Sequence, residues 1–265
     1  MTILQSLIFF IASLLASVAG AVCGIGGGVI VKPTLELFGW ASAATISFLS
    51  GTMVLAMSCY SVFRSLGSKE RSVDLRTATP LAIGAAVGGV IGKVLFNLIR
   101  SNSANPNTVG AVQAICLLLV TIGTLIYNLC KAHIRTHHMS NALLCAAIGF
   151  VLGIMSSFLG IGGGPINLMV LSFFFSMDTK VAAQNSLYII LFSQIASLIT
   201  TLATGSVPSF EWSALALMVA GGIGGGIVGR KLYKKMDLKA VNVLYICLMG
   251  IIVSISIYNC IKYSL

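Results

Sequence analysis

Two pentapeptides stand inside long apolar runs: Gly24-Ile25-Gly26-Gly27-Gly28 and, 136 residues on, Gly160-Ile161-Gly162-Gly163-Gly164. Four glycines in five positions oppose a continuous helix, since each costs about 1 kcal/mol against alanine in a helix interior. A helix broken there leaves unpaired N–H groups at the start of the next half-helix, an end that carries about half a positive charge. Such an end binds an anion without any side chain, and the missing Cβ atoms let the anion approach the backbone. Gly24, Gly26, Gly27 and Gly28, with Gly160, Gly162, Gly163 and Gly164, are therefore candidate substrate-binding residues. Close docking of helices is the other use of glycine. It is favoured for the more widely spaced Gly88/Gly92 and Gly225/Gly229.

Side chains near these breaks extend the candidate list. Lys32 follows the first cluster, and an ionisable residue in an apolar stretch is a functional candidate by default. Snorkelling to the interface is an equal alternative, because Glu36 and Trp40 mark a nearby boundary. Asn167 stands one place before the position equivalent to Lys32 in the second copy, which is Leu168. Gln184 and Asn185, beside Ser186, form a polar spot in an apolar segment, as do Thr45 and Ser47. Interhelical hydrogen bonding explains such spots equally well. The carboxylates Glu36, Glu70, Asp74, Asp178, Glu211 and Asp237 all fall in loops or near segment ends. With no acid at mid-membrane depth, the substrate reads as an anion and a coupling ion stays unassigned.

Catalytic and cofactor readings find no support. H-E-x-x-H, G-x-S-x-G and P-loop patterns are absent, and the G-x-G-G-G runs follow apolar helix where a dinucleotide loop follows a strand. His133, His137 and His138 form a loop cluster with partial metal-like spacing and no carboxylate nearby, so they read as a polar linker, with no metal and no cofactor expected.

Something must hold the glycine breaks in place, and the composition says what. The chain is 57% hydrophobic and 8% charged, with mean hydropathy +1.02, whereas a soluble domain carries about 25% charged residues. Its apolar runs approach or exceed the roughly 20 residues that span a bilayer as helix. Eight segments are predicted, at 3–22, 41–66, 80–99, 109–130, 141–158, 181–204, 212–232 and 238–261, with short apolar pieces after each glycine cluster. Pro80 is expected in the first turn of its helix and Pro165 in the first turn of the second short piece. The net charge of +10 lies mostly between segments, as juxtamembrane anchors do, which argues for a lipid bilayer and against nucleic acid. The seven cysteines avoid any C-x-x-C spacing and read as buried thiols. Residues 1–21 lack the basic flank of a signal peptide and read as the first membrane helix.

The glycine clusters are one of three ordered matches between the two halves. Gly88-Gly89-Val90-Ile91-Gly92-Lys93 returns as Gly225-Gly226-Ile227-Val228-Gly229-Arg230, and Ile126-Tyr127-Asn128 returns as Ile257-Tyr258-Asn259. A duplication into residues 1–132 and 133–265 follows, with a site expected at the interface of the repeats. The fold class is thus an all-α polytopic membrane protein of two homologous four-helix repeats, each with a Gly-rich break. Eight crossings make the halves parallel and set the connection at 67–77 opposite the cations of 230–239, a conflict under the positive-inside rule. The denser second cluster then places both termini outside, and a re-entrant excursion at the glycines would change the parity.

The sequence resembles the sulfite exporter TauE/SafE family of bacterial permeases. The resemblance rests on Gly24 to Gly28 through Pro33 and Leu35, on Gly160 to Gly164, on Gly88-Gly89 to Gly92, on Gly225-Gly226 to Gly229, and on the Arg71 to Asp74 connection. It implies about eight membrane helices in two homologous halves, a place in the cell inner membrane, and transport of sulfur-containing anions such as sulfite or organosulfonates. The second copy departs from the first, with Pro165 directly after the glycines and Leu168-Met169 where the first has Lys32-Pro33. The expected function is a secondary transporter, not an enzyme, that moves a small anion by alternating access between the facing breaks. The first copy and Lys32 are expected to carry most of the binding. The alternative is a channel-like pore or a membrane scaffold without a coupled cycle.

Overall fold

The computed structural model describes residues 3–67, 73–102, 106–139 and 141–264. Lys69, Glu70, Arg71 and Asn105, which the sequence analysis places in connections, lie outside them. Among the described residues there are ten α-helices and no strand: α1 Ile3–Cys23, α2 Gly28–Phe38, α3 Ala43–Leu66, α4 Leu75–Asn102, α5 Pro106–Cys130, α6 Ala142–Leu159, α7 Gly164–Phe175, α8 Thr179–Ala203, α9 Trp212–Lys235 and α10 Leu238–Ser264. Eight are long and apolar enough to cross a membrane, α2 and α7 being the short ones. Side chains such as Leu7, Leu15, Val87, Leu119 and Ile126 point outward, as a lipid-facing surface requires.

Local chemistry sets the helix ends. Ser42, Asn141 and Asp178 accept hydrogen bonds from the N–H groups of Thr45, Leu143 and Val181, capping α3, α6 and α8. Asp74 accepts from the Arg76 N–H and the Thr77 hydroxyl. That cap starts α4 at Leu75, so Pro80 lies inside the helix and not in its first turn as expected. Pro165 does open α7. Gly39 and Gly160 close α2 and α6 in the left-handed region, at φ 65° and 66°.

The short helices are the return arms of hairpins. Trp40, just past α2, stacks on Phe38 and lies 6.3 Å from Phe9 of α1, so α2 comes back towards the end where α1 began. At the other break, the N–H groups of His137 and Met139 donate to the Phe173 and Phe174 carbonyls, so α7 returns to the start of α6. The two hairpins enter from opposite ends of the bundle. The α1–α2 end is aromatic: Thr45 of α3 donates to the Ser209 carbonyl, and Phe48 packs on Phe210. The α6–α7 end is basic: Lys131 donates to Thr179 and Asn242, and Lys180 donates to the Met236 carbonyl.

This path removes the charge conflict. Arg230 of α9 donates to the carbonyls of Ser61 at 3.1 Å and Arg64 at 2.7 Å. The end of α3 and the cations at the end of α9 therefore share one end of the bundle, contrary to the expectation of opposite sides. The reason is parity: each hairpin enters and leaves at the same end. The chain accordingly runs from the aromatic to the basic end over α1–α5, and back again over α6–α10.

The interhelical contacts come in matched sets. α1 packs on α9 as α6 packs on α4, and α3 on α9 as α8 on α4. Glycine makes the closest of these possible. A Cβ on Gly84, Gly88 or Gly92 of α4 would strike the carbonyls of Ala146, Phe150 or Ile154 of α6, and one on Gly225 or Gly229 would strike those of Leu14 or Val18 of α1. Backbone touches backbone at both seams.

Candidate functional site

Both glycine clusters end one helix and begin another. α1 stops at Cys23 and α2 starts at Gly28; α6 stops at Leu159 and α7 starts at Gly164. Neither α2 nor α7 has a side-chain cap on its first N–H groups. Gly24, Gly26, Gly160, Gly162 and Gly163 take positive φ values between 66° and 82°, which explains glycine at these turns. Gly24 offers its carbonyl to Ser186 at 2.6 Å, and Gly160 offers its own to Ser50 at 3.3 Å.

The breaks touch each other. A Cβ on Gly28 would lie 2.8 Å from the Ile161 carbonyl oxygen, and one on Gly164 would strike the Ile25 carbonyl. Gly27, the residue before α2, is packed against Ala16 and Met53. No room for an anion is left between Gly28 and Gly164. The open space lies beside this contact, against Gly160.

That space is a narrow cavity of about 30 Å³ formed by α3, α4, α5, the end of α6 and α8. Its polar lining includes Ser47, Lys93, Gln113, Ser157 and Gln194, with Gly160 completing one wall. Lys93 is 9% exposed and sits 5.0 Å from the centre of the Phe96 ring. Ser47 Oγ, Ser157 Oγ and Gln194 Nε2 are buried with no hydrogen-bond partner. An orphaned buried donor costs about 1–3 kcal/mol, so three around one cavity point to an occupant. Among the described residues no carboxylate lines the cavity. The Lys93 ammonium beside the donors of Ser47, Ser157 and Gln194 suits a small anion and repels a cation.

Lys32 has a different place. It is 2% exposed and donates to Gln113 Oε1 at 2.7 Å and to the Leu159 carbonyl at 2.6 Å, with Glu36 4.0 Å away. Gln113 in turn donates to the Phe158 carbonyl at 2.6 Å. The pair thus caps the last carbonyls of α6, one of the few ways to satisfy a helix end within a membrane. Lys32 stands behind the cavity wall, where its charge lies close enough to Lys93 to repel it. Glu36, placed near a segment end by sequence, is buried beside Lys32.

The remaining candidates scatter. Asn167 is buried in the first turn of α7, with its side-chain oxygen against Gly163. Gln184 is buried in α8 away from the cavity wall. Asn185 accepts from the Asp74 N–H and donates to the Val181 carbonyl, tying α8 to the start of α4 at the basic end. Of the residues singled out by sequence, Gly160 and Ser47 line the cavity; Gly24 to Gly28 and Gly162 to Gly164 form the contact next to it. Lys93 escaped notice because it was read as part of a packing motif. The rule that flagged Lys32, an ionisable residue in an apolar run, applies to it equally.

A second, smaller cavity of about 20 Å³ lies among α5, α7, α8 and α10 towards the basic end. Lys131, Tyr127, Ser172, Thr179 and Tyr245 line it.

The chain is similar to proteins that carry transporter names. It is 26% identical over 255 residues to the probable membrane transporter protein YunE of Bacillus subtilis, covering 88% of this chain and 90% of that protein. It is 24% identical over 279 residues to the probable membrane transporter protein MamO of Paramagnetospirillum magneticum. That match takes in 91% of this chain but spans only 42% of the larger protein. No solved structure matches it. The family model described as sulfite exporter TauE/SafE matches residues 9–257. A multi-pass membrane protein of the cell (inner) membrane, the chain belongs to the TauE/SafE family of membrane transporters.

Proposed function

We propose that this protein is a secondary transporter for a small sulfur-containing anion of the sulfite or organosulfonate type, and not an enzyme. The observation that carries this reading is the cavity beside Gly160, where buried Lys93 meets the uncommitted donors of Ser47, Ser157 and Gln194 with no carboxylate in the lining. An anion seated there accepts from the Lys93 ammonium and from neutral donors held on three different helices. Such a set recognises several oxygens of a compact oxyanion at once.

Alternating access fits the two hairpins. The Gly28–Ile161 and Gly164–Ile25 contacts close the midline, with one polar cavity towards each end of the bundle. Rocking of α1–α2 against α6–α7 would open one side while the other stays shut. In this reading residues 1–132 and 133–265 are duplicated halves of inverted topology. The matched helix pairs support that, as do the equivalent Ser50–Gly160 and Ser186–Gly24 hydrogen bonds. The positive-inside rule places the basic end in the cytoplasm and both termini outside.

The test is counterflow in reconstituted vesicles with sulfite, thiosulfate, short sulfonates and carboxylates. Saturable flux with mutual competition among the sulfur oxyanions is expected. Flux that grows linearly with concentration and ignores competitors would indicate a pore instead.

A further inference from the structure

We infer that the cleft between α3 and α9 at the basic end is a binding site for the phosphodiester headgroup of an anionic phospholipid. The cleft is a pocket of about 290 Å³ lined by Tyr60, Arg64, Gly67, Ile227, Arg230, Lys231 and Lys234. Four cations in one cleft demand a counter-charge, and the described acids at this end are engaged elsewhere. Asp74 accepts from Thr77, Asp178 from the Val181 N–H and Asp237 from the Ala240 N–H, so each caps a helix. Arg230 is held in place by the carbonyls of Ser61 and Arg64, and its guanidinium is close enough to Arg64 to be repelled by it. An anion between them relieves that repulsion.

The neighbouring side chains favour a lipid over a free ion. On α3, Tyr60 and Phe63 share a helical stripe with Arg64 and Gly67, and they lie on the bilayer side of those residues. On α9, Ile223 and Ile227 stand in the same relation to Arg230, Lys231 and Lys234. Phe63 is 74% exposed and Ile223 39% exposed, so exposed apolar side chains lie below the charges on both helices. A charged cleft with exposed apolar side chains below it on two membrane helices matches the two ends of a phospholipid. Basic pockets of this kind at the cytoplasmic face bind anionic headgroups.

The experiment is native mass spectrometry of the full-length protein in detergent. It is offered phosphatidylglycerol and phosphatidylcholine with the same acyl chains, with and without inorganic phosphate. Preferential retention of phosphatidylglycerol is expected. The preference should fall about 30-fold in an Arg64→Gln/Lys234→Gln double variant and about 5-fold in Lys234→Gln alone, at one cation's contribution each. Both positions are exposed, so the variants should melt where the wild type does. Equal retention of the two lipids, or a preference unchanged in both variants, overturns the assignment. Release of the lipid by millimolar phosphate overturns it in favour of a free-anion site.

Discussion

Replacing Lys93 by methionine separates a binding lysine from a structural one. An ammonium about 3 Å from an oxyanion gains roughly 5 kcal/mol of Coulomb energy at an effective dielectric of about 20. Desolvation offsets part of this, and truncating one partner of a buried charge pair costs about 2–5 kcal/mol in practice. The anion dissociation constant should therefore rise by about 30-fold to several thousand-fold. The fold should be largely spared, because methionine keeps the length and the apolar stem of Lys93. Lys32→Met should show the reverse. It strands the Leu159 carbonyl and Gln113 Oε1, costing about 2–6 kcal/mol of stability at about 1–3 for each orphaned group. The assay pairs calorimetric titration of sulfite under anaerobic conditions with thermal unfolding of each variant. Wild-type affinity in Lys93→Met, or a Lys32→Met protein as stable as the wild type, would refute the division of roles.

Further outcomes follow from the same geometry. Ser157→Ala removes one neutral donor from the cavity and should weaken anion binding about 2- to 10-fold, measured by the same titration. Gly164→Ala places a methyl group on the Ile25 carbonyl and should abolish transport or folding, whereas Gly123→Ala, with nothing nearby, should leave vesicle flux unchanged. Gly88→Val drives α4 off the Phe150 carbonyl of α6 and should lower the melting temperature by several degrees, read by thermal unfolding in detergent. Single cysteines introduced as Gly67→Cys and Lys235→Cys should react with an impermeant thiol reagent from the same membrane side, and Ser209→Cys from the other. Opposite labelling of the first two would break the hairpin topology.

Much of the fold was legible because hydropathy and glycine density report directly on helices and their breaks. Helix limits were missed where capping decides them: the Asp74 cap starts α4 ahead of Pro80, a short-range effect that an apolar window does not register. Topology was missed for a different reason. Whether α2 continues across the membrane or folds back depends on tertiary contacts such as Trp40 with Phe9, and α2 alone carries no sign of it. The site was legible only in part. The glycine clusters flagged the right region, but the partners that make a cavity there, Ser47, Lys93, Ser157 and Gln194, come from four helices far apart in sequence. Lys32 attracted attention by its chemistry, and the carbonyls it serves at the end of α6 became visible only in three dimensions.

The cavity beside Gly160 as the anion site is tested most directly with selenite, a heavier analogue of sulfite, located by anomalous scattering in crystals of the protein. The expected result is a selenium peak within hydrogen-bonding reach of the Lys93 ammonium and the Gln194 amide, absent from crystals of Lys93→Met. A peak beside Lys32, or at the α2 and α7 starts with Lys93 out of reach, would contradict it.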